Sequence, residues 1–186
     1  MSLPPGPIAQ PQPDAPDEVL TDRMVLRRPI PDDLDELATM LGDPRVGRWL
    51  GGVADRARTA EMLARWIAHW DAHRFGLWCA RDRETGAFVG RGGLLATIVG
   101  GAGAIEAGWT IAPNRWGEGL ATELGTASIQ VAERELRVSE LVSFTLPDNV
   151  ASRRVMEKLG FSYARDVTHA GLPHVLYRRT SAALRP

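Results

Sequence analysis

The sequence predicts a single α/β (α+β) domain: one mixed, mostly antiparallel sheet with a parallel pair at its centre, flanked by helices. Three observations predict it. Apolar runs over about 75–81, 87–98 and 105–111 are joined by turn residues, Glu84-Thr85-Gly86 and then Gly100-Gly101-Ala102-Gly103, which reads as an antiparallel meander. A helical pattern from 119 to about 135 then leads into an apolar run at 141–146. A strand reached through a helix must lie parallel to the strand before it, so the order changes there from meander to crossover. Finally, 186 residues without an internal repeat suit one core, since a chain of about 150 residues buries roughly two thirds of its unfolded surface.

Taken in order, the first seventeen residues hold six of the thirteen prolines, at positions 4, 5, 7, 11, 13 and 16, with little apolar content to bury, and are expected to be disordered. Met24-Val25-Leu26 suggests a first strand, and Pro31-Asp32-Asp33 starts a helix with acidic residues at its positive end. Leu34, Leu37, Ala38 and Leu41 continue it at helical spacing up to a Gly42-Asp43-Pro44 break. A second helix over about 59–72 carries Leu63, Trp66, Ile67 and Trp70 on one face. After the meander and crossover come a helix over about 149–159 and a last hairpin of 163–169 and 174–180.

Composition removes several function classes. A net charge of −1 provides no basic face for nucleic acid or membrane. The single Cys79 excludes an internal disulfide, and there is neither a signal-peptide pattern nor an apolar run of about 18 residues, so a reducing cytoplasmic setting is expected.

The most informative stretch is 106–124, read as a strand, a Gly-bearing turn and the start of a helix. Gly117 and Gly119 permit a turn with positive φ and close backbone approach, and the helix beginning near Gly119 points free N–H groups and its positive end at whatever sits there. A phosphate or pyrophosphate is the expected guest. The Walker pattern fails for want of a Lys before Ser or Thr, and the dinucleotide fingerprint fails because Thr122 stands where its third glycine belongs.

What remains, Trp116-Gly117-Glu118-Gly119-Leu120-Ala121-Thr122-Glu123 after a strand ending at Pro113, closely resembles the acetyl-CoA loop of the GNAT superfamily of N-acetyltransferases, in the branch of the ribosomal-protein N-terminal acetyltransferases. A second motif has matching order and spacing: Asn149-Val150-Ala151-Ser152, then Glu157-Lys158-Leu159-Gly160-Phe161. The resemblance covers about 20–181, leaving 1–19 as a leader and 182–186 as a tail. It implies the GNAT fold with a splayed central strand pair, acetyl-CoA as cosubstrate without a metal, and a primary amine as acceptor, whether a peptide N-terminus or a small amine such as an aminoglycoside, polyamine or amino acid. Monomer and homodimer stay open. A non-catalytic acyl-CoA-binding module is the rival reading.

The resemblance assigns Trp116, Gly117, Glu118, Gly119, Leu120, Ala121 and Thr122 to the pyrophosphate. The backbone of Trp109, Thr110 and Ile111 is assigned to the pantetheine arm, along a strand that the family keeps open with a bulge, and Asn149 and Arg154 also fall to acetyl-CoA. Independently, Asn149 reads as a helix N-cap, closed at the far end by Gly160, and Ser152 as a local backbone partner. Glu106 is the one acid in its strand; it marks the polar face of the sheet or, by resemblance, accepts the amine proton. Many GNAT enzymes protonate the leaving thiolate with a Tyr where this chain has Met156, so Ser152, or a water it holds, is the substitute acid.

Other signals have bland readings. His69 and His73 lack the Glu of a zincin motif, Cys79 lies in an apolar strand as a buried thiol, and no Gly-x-Ser-x-Gly elbow occurs. Trp49, Trp66, Trp70 and Trp78 read as core, with the second helix a possible wall of an acceptor cleft.

Overall fold

A computed structural model describes residues 14–181. Eight strands form one sheet in the order β1-β2-β3-β4-β5-β6-β8-β7. They are β1 Glu18–Leu20, β2 Met24–Arg27, β3 Leu77–Asp82, β4 Phe88–Val99, β5 Ala102–Ile111, β6 Glu140–Thr145, β7 Ser162–His169 and β8 Leu172–Thr180. The helices are α1 Leu34–Leu41, α2 Pro44–Gly47, α3 Arg56–His73, α4 Leu120–Arg134 and α5 Val150–Lys158. Every pairing is antiparallel except β5 with β6.

Strand alternation sorts the core onto two faces. Leu77 and Cys79 of β3 pack with Leu37, Leu41, Leu63 and Trp66 of α1 and α3, while Trp78 and Ala80, one residue out of phase, join Leu94, Ala107, Leu120 and Leu124 under α4. Asp55 caps α3, its Oδ1 accepting from Arg58 N at 2.8 Å, so the helix starts before residue 59. Asp33 does more than begin a helix. Its fully buried carboxylate accepts from Arg27 at 2.6 and 2.9 Å, from Ile30 N at 2.9 Å and from Arg81 at 3.2 Å, tying β2, β3 and the entry to α1 together. These four donors hold the Asp33 carboxyl below its ordinary range against the opposing effect of burial.

The structure departs from expectation in two places, the first at the chain's start. The leader predicted over 1–19 ends too late, since Glu18–Leu20 is an edge strand and the residues before it are docked. Ala15 is buried with its N–H on Arg74 O at 3.0 Å, Pro16 O accepts from Trp78 Nε1 at 3.2 Å, and Asp14 pairs with Arg74. The anchoring partners lie about sixty positions away in sequence, so local composition could not show them. Residues 1–13 and 182–186 lie outside the described residues.

The other departure sets up the site. β5 and β6 share a single registered pair, Glu106 with Val142, and separate beyond it. The β4–β5 ladder runs without interruption from Gly90–Ile111 to Val99–Ala102, so the two parallel strands splay with no bulge in β5. From Gly108 to Ile111 the β6-facing backbone edge of β5 is therefore left without a strand partner.

Candidate active site

The splay opens into a cavity of about 780 Å³. Along its floor lie Glu106, Gly108, Trp109, Thr110 and Ile111 of β5, with Ser143, Phe144 and Thr145 of β6 opposite. At one end stand Trp116, Gly117, Gly119, Leu120, Ala121 and Thr122 with Asn149, Ser152, Arg154 and Lys158. The cavity lining also includes Val46, Trp49, Leu50 and Arg58, together with His169, Leu172 and His174 of the terminal hairpin, which approaches the α2 side where Leu172 would lie 3.4 Å from a Cβ on Gly51.

The first end is built as an anion cradle. Gly117 and Gly119 have φ of 84° and 81°, and Gly119 is the N-cap of α4 without a side chain to satisfy the helix's first donors. Among the described residues the N–H groups of 117–121 have no acceptor. Thr122 differs from expectation, for its N–H closes on Gly119 O at 3.0 Å and only its hydroxyl faces the cavity unbonded. Glu118 also departs: it does not line the cavity, its carbonyl accepts from Arg23 Nη1 at 2.9 Å, and its carboxylate pairs with Arg115 at 3.0 Å. Glu123, in the first turn of α4, accepts from Thr21 Oγ1, Arg23 N and Arg23 Nε at 2.6 to 2.8 Å, and so fixes the loop to the sheet edge. Trp116 folds back so that its Nε1 donates to Ile111 O at 2.7 Å.

Asn149 caps α5, with Oδ1 accepting from Ser152 N at 3.2 Å, while its Nδ2 donates to Thr145 Oγ1 at 2.9 Å and ties the helix to β6. Because the backbone N–H of Ser152 makes the cap, its hydroxyl is left to the cavity. Met156 is 1% exposed in the core and has no proton to give.

Glu106 leans along β5 over Gly108, where an added Cβ would stand 3.1 Å from Oε1. Burial lifts its carboxyl from an ordinary 4.5 to about 7, against the opposing pull of the nearby Arg91 charge. A carboxylate poised there can take a proton at neutral pH. Arg91 itself was not foreseen. Its guanidinium lies 4.6 Å over Trp66, its Nε is buried without a partner, and burial lowers it to about 10, still cationic. The sequence signal was there: Arg91 is the one charge in the apolar, Gly-rich strand 88–99.

The remaining expectations are placed as follows. Trp66, Trp70 and Trp78 are buried, but Trp49 lines the cavity. His69 is a structural link, its Nε2 accepting from Ala96 N at 3.0 Å with Nδ1 2.9 Å from Phe75 O. Burial pushes the Cys79 thiol far up, which leaves it unreactive. Among the described residues no cluster of three or more His, Cys, Asp or Glu side chains could hold a metal ion, and no helix is long and apolar enough to cross a membrane.

Comparison with known proteins agrees with this geometry. The acetyltransferase (GNAT) domain family matches residues 23–162. The uncharacterised protein YkkB of Bacillus subtilis is 30% identical over 168 residues, 88% of this chain and 96% of its own. A GNAT-family acetyltransferase structure from Bordetella pertussis superposes with a TM-score of 0.77 at 26% identity, covering 89% of this chain and all of that one. Two coenzyme A complexes share the fold at lower identity. The RimL ribosomal L7/L12 α-N-protein acetyltransferase has a TM-score of 0.71 at 13%, covering 87% and 96%. The aminoglycoside acetyltransferase AAC(6')-Ib has 0.70 at 21%, covering 86% and 96%. With its splayed β5–β6 pair, its unpartnered loop N–H groups and a family match over three quarters of its length, the chain belongs to the GNAT family of acetyl-CoA-dependent N-acetyltransferases.

Proposed function

We propose that this enzyme acetylates a primary amine, a peptide N-terminus being the acceptor that the loop's resemblance favours, with Glu106 as general base. The observation that carries the reading is Glu106 itself: a carboxylate lifted to about 7 in the same cavity as the anion cradle and the open strand edge. The cradle residues 117 and 119–122, with Arg154 and Asn149, hold the cosubstrate's phosphate end, and the edge of Trp109, Thr110 and Ile111 takes its extended arm by strand-like pairing through the groups left free, the Ile111 carbonyl being bonded to Trp116 Nε1. Glu118 contributes by anchoring the loop rather than by contact. An amine reaching Glu106 gives up its proton there and attacks the thioester carbonyl, whose oxygen a free β5 N–H can stabilise. The departing thiolate takes a proton from Ser152 Oγ or a water held by it.

The unreactive, unpaired Cys79 fits a cytoplasmic setting. The test is release of free thiol from acetyl-CoA against N-terminal peptides and small amines, alongside melting temperature with CoA and with NAD. Thiol release with at least one amine and a melting shift with CoA alone are expected. A shift with no release across the panel would make the protein a binding module.

A further inference from the structure

We propose that the acceptor half of the cavity takes a primary amine that also carries a carboxylate, the amine against Glu106 and the carboxylate against Arg91; this rests on the transferase reading above. The two residues share one sheet face. In the β4–β5 register Arg91 stands opposite Thr110 and Leu95 opposite Glu106, and side chains two apart along a strand point the same way. The Glu106 carboxylate leans over Gly108, which brings it toward the Thr110 level where Arg91 sits. Yet the pair forms no salt bridge, and Nε of Arg91 has no acceptor although it is buried. A buried guanidinium donor without a partner is costly in a folded protein, and an anionic ligand group is the partner that planar donors of this kind recognise best.

The charge around the cavity agrees. Besides Arg91 the lining includes Arg58, which has no carboxylate partner among the described residues, whereas Arg115 is occupied by Asp82 and Glu118. Among the described residues Glu106 is the only acidic side chain in the lining. A polycation such as an aminoglycoside or polyamine would meet these two cations and one acid that must itself take the amine proton. The surrounding walls, Trp49, Leu50, Leu95, Phe144 and Leu172, suit an apolar side chain on the acceptor.

The carboxylate could be the α-carboxylate of a free amino acid or an acidic side chain close behind a peptide N-terminus, and paired probes separate the two. Thiol release from acetyl-CoA by the full chain is compared for phenylalanine and phenylalaninamide. It is also compared for a tetrapeptide amide with aspartate second and its asparagine counterpart, with spermidine and kanamycin as polycations. In one of the two pairs the carboxylate should raise kcat/KM by about tenfold to a hundredfold, the range of one charge-assisted hydrogen bond. Which pair responds names the source. Arg91→Met, which keeps a chain over Trp66 and removes an unpaired buried charge, should bring that ratio to within about threefold of one, and Arg91→Lys should restore part of it. Independently of turnover, the preferred acid but not its neutral partner should raise the melting temperature of the CoA complex.

Equal rates within both pairs, a preference for spermidine or kanamycin, or an unchanged ratio in Arg91→Met would overturn this assignment while leaving the transferase intact. No release with any amine would remove the transferase reading and this one with it.

Discussion

Replacing Glu106 by Gln tests catalysis and electrostatics in one molecule. The carboxyl ionises at about 7 in the folded chain against an ordinary 4.5, so between those values the folded state holds a proton that the unfolded state has lost. Stability is therefore fully present below pH 4.5 and declines as pH rises through 7. At 1.36 kcal/mol per pH unit the full cost of the buried carboxylate is about 3 kcal/mol. Gln keeps the shape and the polarity without the charge. Relative to wild type, Glu106→Gln should thus gain under about 1 kcal/mol at pH 5 and about 3 kcal/mol at pH 8. For a chain of this size that gain at pH 8 is roughly 6–12 °C in melting temperature. Calorimetry from pH 5 to pH 8 reads the difference directly. In turnover the wild type should show kcat/KM rising with pH through about 7, and the variant should lose that limb and fall about a hundredfold at neutral pH. CoA affinity should not change, because the cradle is formed by residues 117 and 119–122 with Asn149 and Arg154 and not by Glu106. A stability difference that is flat with pH would refute the raised ionisation, and full turnover in the variant would refute the base.

Three further perturbations follow from the packing. Ser152→Ala should lower turnover without lowering the melting temperature, since its backbone N–H and not its hydroxyl makes the helix cap; the loss should shrink with a thioester whose thiol is more acidic, and a loss independent of leaving group would argue against acid catalysis. Asp33→Ala strands Arg27 and Arg81 beside a buried site and should cost about 3–5 kcal/mol in denaturant unfolding, whereas a loss below about 1 kcal/mol would mean that water replaces the carboxylate. Deleting residues 1–13 and deleting residues 1–17 should behave differently, because only the longer deletion removes Ala15 and the Pro16 acceptor of Trp78 Nε1. A loss of about 1–3 kcal/mol is expected for the longer one on thermal melting, and equal melting of the two would show that the docked segment adds nothing.

The sequence by itself determined the fold class, the order of the long elements and the Gly-bearing turn that opens α4. Each of these is written in local pattern: period-2 and helical spacing, turn glycines, a Gly117 and Gly119 pair before a helix, and an Asn149 that caps the next one. Of the shortest elements, β2 was legible as an apolar run but β1 and α2 were not. β1 and α2 are too short for any period to register, and α2 was read only as a break.

Tertiary structure decided what depends on partners far away in the chain. Docking of the segment before β1 rests on Arg74 and Trp78, and the importance of Asp33 rests on Arg81. Glu118 and Thr122 sit in the motif, yet Arg115, Arg23 and the closing helical turn claim their groups. Most of all, alternation could say only that Glu106 faces one side of the sheet. Whether a carboxylate on that side is a solvated surface charge or a base depends on desolvation and on the Arg91 charge, and both exist only once β4, β5 and α3 close around it. Ionisation is a property of surroundings, and surroundings are assembled by contacts between residues that the sequence keeps apart.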